Sequence, residues 1–246
     1  MYPLHDTKRH RFMRAVMDLP GLVAYYPMNE TSGTVCRNYA PATRGSFNGG
    51  ITGTTKGVSG KIGKAYSFDG IDDKIDLGNN TSNNALKQGF PQSISGIAFL
   101  TANPALPIPL VITDDWNGTN YSGMMVNIGT TGKMSAEIGD GSGSGAPDRK
   151  SYATTDSIPL NQFFMWNAVF QDVSNFSIYI NGASFAGAFS GSATVVGYST
   201  STSKIGAATD TSRTDFLEGT HQHISIVNRA LSVGQVKELS QIGGFS

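Results

Sequence analysis

The chain has 246 residues, 39% of them hydrophobic and 15% charged, with 30 glycines, one cysteine and 18 basic residues matched by 18 acidic ones. Zero formal net charge leaves no long-range field to draw nucleic acid, anionic lipid or an acidic substrate. A lone Cys36 excludes internal disulfides and multi-cysteine zinc sites, and the Gly-rich, weakly charged composition is that of a compact β protein, neither disordered nor fibrous.

Within Met1 to Leu19, four basic residues (Lys8, Arg9, Arg11, Arg14) accompany no apolar run of signal-peptide length, so no secretory signal is expected. No window reaches the apolar length of a membrane-spanning helix either. If complete, the chain is expected to leave its cell by a route other than general secretion. Phe12, Ala15, Val16 and Leu19 fall at helical spacing, which predicts a short amphipathic helix ended by Pro20-Gly21. Residues 1–20 are therefore read as a helical segment and 21–246 as the main domain.

From Leu22 the apolar period changes to two. Leu22-Val-Ala-Tyr-Tyr26 is apolar on both faces, and alternation returns at Tyr66–Phe68, Ile75–Leu77, Met124–Ile128, Met134–Ile138, Phe176–Ile180 and Ile224–Ile226. Turn dipeptides separate these runs: Asp69-Gly70, Asn117-Gly118, Gly132-Lys133 and, as the strongest hairpin signal, Asn181-Gly182. Asp140 to Pro147, rich in Gly and Ser, is expected to be a mobile loop, and Val195, Val196 and Tyr198 mark one possible further strand. Trp166, inside Phe163–Phe170, reads as core. Ser232-Val-Gly-Gln235 has the form of a capping box and predicts a closing helix packed through Val236 and Leu239. Many short strands at this spacing predict an all-β sandwich or barrel with short helices at both ends.

Four segments in order resemble the laminin-G-like branch of the concanavalin A-like jelly-roll sandwich: Leu22 to Glu30 with Ser32-Gly33, Gly60 to Asp73 running to Leu77-Gly78, Phe176 to Gly182, and Gly219 with Ile224 to Ser232. The resemblance implies two packed antiparallel sheets. Tyr2 to Pro20 also looks like the segment that precedes this domain in bacteriophage virion proteins. The first expectation is accordingly a non-enzymatic virion structural protein, such as a capsid decoration, fibre or tail-associated subunit, assembled in the host cytoplasm with other virion subunits or copies of itself as partners. The alternative is a carbohydrate-binding or adhesion module for a cell-surface glycan, with a glycoside hydrolase as the least favoured reading. Neither nucleic acid nor membrane insertion is expected.

Hydrolases of this fold need two carboxylates from one strand face, typically Glu-x-Asp-x-Glu, about 5 Å apart. No such triplet occurs, since Asp140 is out of step with Glu137, so no catalytic residue is assigned. The family resemblance implies a structural Ca²⁺ held by an opening turn, matched by Asn29 and Glu30, and by an acidic pair whose positions are filled by Gln222 and His223. His221 and His223, two apart on a predicted strand, are expected to point the same way, but two ligands do not make a metal site. No cofactor is therefore expected. The candidate ligand-binding residues are Asp114, Asp115, Trp116, Asn117 and Tyr121, because a loop that combines aromatic faces with carboxylates and amides suits a sugar. The other reading of that loop is a polar turn with Trp116 tucked over the sandwich edge.

Overall fold

The computed structural model describes residues 7–77, 85–114, 120–209 and 214–245. In chain order these form α1 (Lys8–Met17), β1 (Leu22–Tyr26), β2 (Val35–Cys36), β3 (Gly49–Thr52), β4 (Thr55–Ser59), β5 (Lys64–Asp69), β6 (Lys74–Asp76), β7 (Gln92–Phe99), β8 (Ile108–Ile112), β9 (Ser122–Ile128) and β10 (Lys133–Asp140). There follow β11 (Arg149–Ser157), β12 (Phe163–Asp172), β13 (Asn175–Ile180), β14 (Ala183–Phe185), β15 (Gly187–Gly191), β16 (Lys204–Ile205), β17 (Ala207–Thr209), β18 (Thr214–Phe216), β19 (Glu218–Val227) and α2 (Val233–Gly243). The sequence-derived fold class holds: two antiparallel sheets pack face to face, one ordered β14-β13-β12-β7-β19-β5-β4 with β1 also on β19, the other β15-β11-β10-β9-β8-β16-β6-β3-β2. No described helix is long and apolar enough to cross a membrane.

Period-two alternation sets what each face meets. Met134, Ala136 and Ile138 of β10 and Met124, Val126 and Ile128 of β9 enter the core between the sheets, where they join Phe68, Trp166 and Ile178. The outer face of the first sheet carries a second apolar layer under both helices, built from Phe12, Val16, Leu22, Tyr25, Ile97, Met165, Val236 and Leu239. The apolar stripe of α1 is thus used within the chain, with Phe12 and Val16 each contributing about 1.5–3 kcal/mol by burial. Thr7 caps α1 by accepting from the His10 amide, and Ser232 and Gln235 form the expected capping box of α2.

The Asn181-Gly182 signal is realised as a tight turn between β13 and β14 with φ of 52° and 79°, the left-handed pair that a type I′ turn demands. One expectation changes. No strand forms at Val195–Tyr198: after β15 the chain runs irregularly to β16, and Val195 is exposed. In and beside the Asp140–Pro147 loop, Asp140 accepts from the Ser142 amide at 2.9 Å and Asp148 from the Gly145 amide at 2.7 Å.

The two histidines of β19 do not share a face, because the strand has a register break between Gln222 and Ser225, with His223 at φ 54°. His221 enters the inter-sheet core beside Phe68 and Trp166. His223 turns to the helical layer beside Phe12 and Tyr25. Burial pushes His221 down to about 3 and His223 to about 4, from an ordinary value of 6.5. Both are therefore held neutral by the fold. Their contribution to stability is full above about pH 6.5 and is lost as pH falls toward those values. Neither ring nitrogen of His221 has a hydrogen-bond partner among the described residues. Chemical denaturation of the wild type is expected to show a falling midpoint from pH 7 to pH 5, and His221→Leu a shallower fall. Equal slopes in the two proteins would rule out His221 as a source of acid sensitivity.

Candidate functional site

Among the described residues no helix covers the outer face of the second sheet, and this face holds a cleft of about 370 Å³. The residues that line it are those out of phase with the core: Asn127 of β9, Ser135 and Glu137 of β10, and Arg149 and Ser151 of β11. Registry arranges them as a grid. Asn127 lies opposite Ser135, Met125 opposite Glu137, and Glu137 opposite Ser151. Pro107 and Pro109 form one wall, and Ala208 and Asp215, from the β17–β18 hairpin, also line the cleft.

Glu137 is the centre of this grid, and its side chain is only 8% exposed. Its Oε1 accepts from Asn127 Nδ2 at 3.0 Å and from Ser135 Oγ at 2.7 Å, which fixes the carboxylate against the sheet. Its Oε2 lies 3.9 Å from Arg149 Nη1, close enough for charge attraction but beyond a hydrogen bond. The Arg149 side chain, 39% exposed, leans over the Tyr121 ring with 5.7 Å from guanidinium carbon to ring centroid. Two glycines, Gly123 and Gly139, lie opposite each other, and Gly139 lies opposite Arg149. A Cβ at 139 would sit 2.2 Å from the Tyr121 carbonyl carbon, so the close approach of that backbone requires glycine.

Of the five residues expected to bind ligand, Asp115, Trp116 and Asn117 lie outside the described residues. Tyr121 reaches the end of the cleft through Arg149 and packs with Ile112, Met125 and Ala208. Asp114 does not face solvent. It is fully buried and ion-paired to an equally buried Lys87 at 3.0 Å, and it accepts from Ser199 Oγ at 3.0 Å and from the Ser199 amide. Lys87 also donates to the carbonyls of Ser199 and Ser201 at 2.7 and 2.6 Å. Asp114 thus joins three segments through Lys87 and Ser199, and its carboxylate is occupied by these contacts.

The residues at the implied calcium positions do not fit a hard cation. Glu30 accepts from Tyr66 Oη at 2.7 Å and from the Arg37 amide at 3.1 Å, while Asn29 is half-buried in the same turn. Gln222 Oε1 accepts from the Lys61 amide at 2.6 Å, and His223 Nε2 donates to the Ile62 carbonyl at 3.1 Å. A carbonyl can only accept, so Nε2 carries the proton and Nδ1 accepts from Tyr25 Oη at 2.6 Å. Hydrogen bonds to the 60–63 turn thus occupy the side chains that would have to turn toward an ion. The carboxylates of Asp69, Asp72 and Asp73 do cluster, but Asp73 accepts from the Asp69 amide and Asp69 from the Ile71 amide, as turn carboxylates do.

Asn127, Ser135, Glu137 and Arg149 were not read from the sequence as a site. Their signal was present as polar residues in antiphase to Met124–Ile128 and Met134–Ile138, but which strands are neighbours was not. Lys87→Met is expected to cost about 3–5 kcal/mol by stranding the Asp114 charge. Lys87→Met with Asp114→Leu should recover most of that loss in denaturation midpoint; a double variant as unstable as the single would show that the pair itself, not the stranded charge, carries the stability.

The model of the Concanavalin A-like lectin/glucanases superfamily matches residues 92–237. No curated protein matches the sequence. Among solved structures, a Trypanosoma rangeli sialidase superposes with a TM-score of 0.63 at 13% identity, covering 94% of this chain and 37% of that one. The botulinum neurotoxin serotype D binding domain superposes with a TM-score of 0.60 at 13% identity, covering 90% and 51%. The chain therefore spans only part of each of these proteins, and at such identity the likeness is one of fold.

Proposed function

We propose that this chain, which belongs to the concanavalin A-like lectin/glucanases superfamily, binds carbohydrate without transforming it, through the open-sheet cleft around Glu137. The observation that carries this reading is the arrangement of Asn127, Ser135, Glu137 and Arg149, a buried acceptor beside a partly exposed guanidinium on an uncovered sheet face. A few fixed polar groups on a concave surface are what a sugar requires. Binding rather than hydrolysis is supported by β10, whose outward positions are Ser135, Glu137 and Gly139, so the strand presents one carboxylate where hydrolysis in this fold draws on two. The binding-domain neighbour is consistent with this reading, and so is the small share of the sialidase that the chain spans.

Affinity electrophoresis through gels containing different polysaccharides tests the reading directly. Retardation of the wild type by at least one polysaccharide is expected, with Arg149→Ala weakened about tenfold and Lys237→Ala, on α2, unchanged. Retardation lost equally in both variants would move the site away from the cleft.

We place this module in a bacteriophage virion, as a decoration, fibre or tail-associated subunit. The support is the resemblance of residues 2–20 to the segment preceding this domain in virion proteins. With Phe12 and Val16 buried against the chain's own sheet, contacts of α1 with neighbouring subunits would use its exposed Arg11 and Arg14. Mass spectrometry of purified particles from the source should detect the chain; its absence from particles would sink this placement.

A further inference from the structure

We infer that the cleft selects neutral, hydroxyl-rich sugars and discriminates against acidic ones, with Glu137 and Arg149 acting together as a clamp for a single hydroxyl; this rests on the carbohydrate-binding reading above. The geometry is specific to a group that both donates and accepts. Oε2 of Glu137 and Nη1 of Arg149 are 3.9 Å apart. A hydroxyl oxygen placed about 2.8 Å from each can donate to the carboxylate and accept from the guanidinium, with an angle at that oxygen of roughly 90°, somewhat tighter than tetrahedral. A sugar carboxylate or sulfate can only accept. It would satisfy Arg149 but press a like charge on Oε2, which is held in place because Oε1 is tied to Asn127 and Ser135.

The rest of the lining points the same way. Basic groups from Lys133 and Arg149 are matched by carboxylates from Glu137 and Asp215, so the cleft carries no surplus positive charge to favour an anion. Ser151 adds a neutral hydroxyl beside Glu137, and Tyr121 supports Arg149 from beneath its guanidinium. An amine would find Glu137 attractive, but Arg149 would repel it. Of hydroxyl, carboxylate, sulfate and amine, hydroxyl is the one that satisfies both partners of the clamp.

The experiment uses the full chain and an immobilised panel of neutral oligosaccharides built from glucose, galactose and mannose, beside sialylated and uronate-containing oligosaccharides of equal length, at physiological salt. Neutral members should bind at least about tenfold tighter than their acidic counterparts, since a clamp left unsatisfied on one side discriminates on that scale. Glu137→Gln should weaken neutral binding by about tenfold and narrow the gap to acidic sugars, because it removes the charge that rejects them. Should that variant fail to fold by near-ultraviolet circular dichroism, Arg149→Met, at a more exposed position, is expected to weaken neutral binding by a similar factor. Equal or tighter binding of acidic sugars, or neutral binding unchanged in the folded variants, would overturn the clamp while leaving carbohydrate binding intact. Binding to no sugar on the panel would overturn the underlying reading as well.

Discussion

Strand β19 has to serve two partners on the same side, and the architecture depends on how it does so. Over Glu218–His221 it pairs with β5, and from Ile224 to Val227 it pairs with β1, while β7 lies along its other edge. A straight strand could not change neighbours without leaving backbone groups unpaired. The left-handed residue His223 supplies the break, and Gln222 and His223 fill the gap by bonding the 60–63 turn and Tyr25. A neutral histidine can accept from a hydroxyl and donate to a carbonyl at once, which is what that gap needs. The same break sends His221 to one face of the sheet and His223 to the other, so the opening strand, the helices and the inter-sheet core meet at one point.

Once β1 is secured there, the outer face of the first sheet carries an apolar layer that α1 and α2 cover. Among the described residues the second sheet has no such cover. Around Glu137 its outward side chains are polar, and they are linked before any ligand arrives: Asn127 and Ser135 hold Glu137 in place. A pre-ordered acceptor loses little entropy on binding, which favours recognition by a few well-placed groups over a large apolar contact. The buried Lys87–Asp114 pair works at the margin of the same sheet, joining the end of β8 to the segment after β15.

Much of this was legible in the sequence because it depends on local pattern. Alternation located β1, β5, β9, β10 and β13, Asn181-Gly182 announced its turn, Ser232 with Gln235 announced α2, and Trp166 and Phe68 proved to be core. What was not legible depends on pairing. Two residues two apart on a strand share a face only if no bulge intervenes, and His221 and His223 are separated by one that no local signal marks. Asp114 carries the chemistry of a ligand contact but is buried by Lys87, 27 positions before it in the chain. Glu137 lacked a second carboxylate on its own face of the strand, Asp140 being out of step, and its partners Asn127 and Arg149 came from β9 and β11, which only registry brings alongside.

The picture is of a jelly-roll sandwich whose two outer faces have different tasks, one sealed by helices and one left open with an ordered polar cleft. Its central claim is that ligand meets the chain on the open face. Amide chemical-shift mapping with a neutral oligosaccharide tests this most directly. The account predicts perturbations concentrated at Asn127, Ser135, Glu137, Arg149 and Ser151; perturbations confined to α1, α2 and the strands beneath them would contradict it.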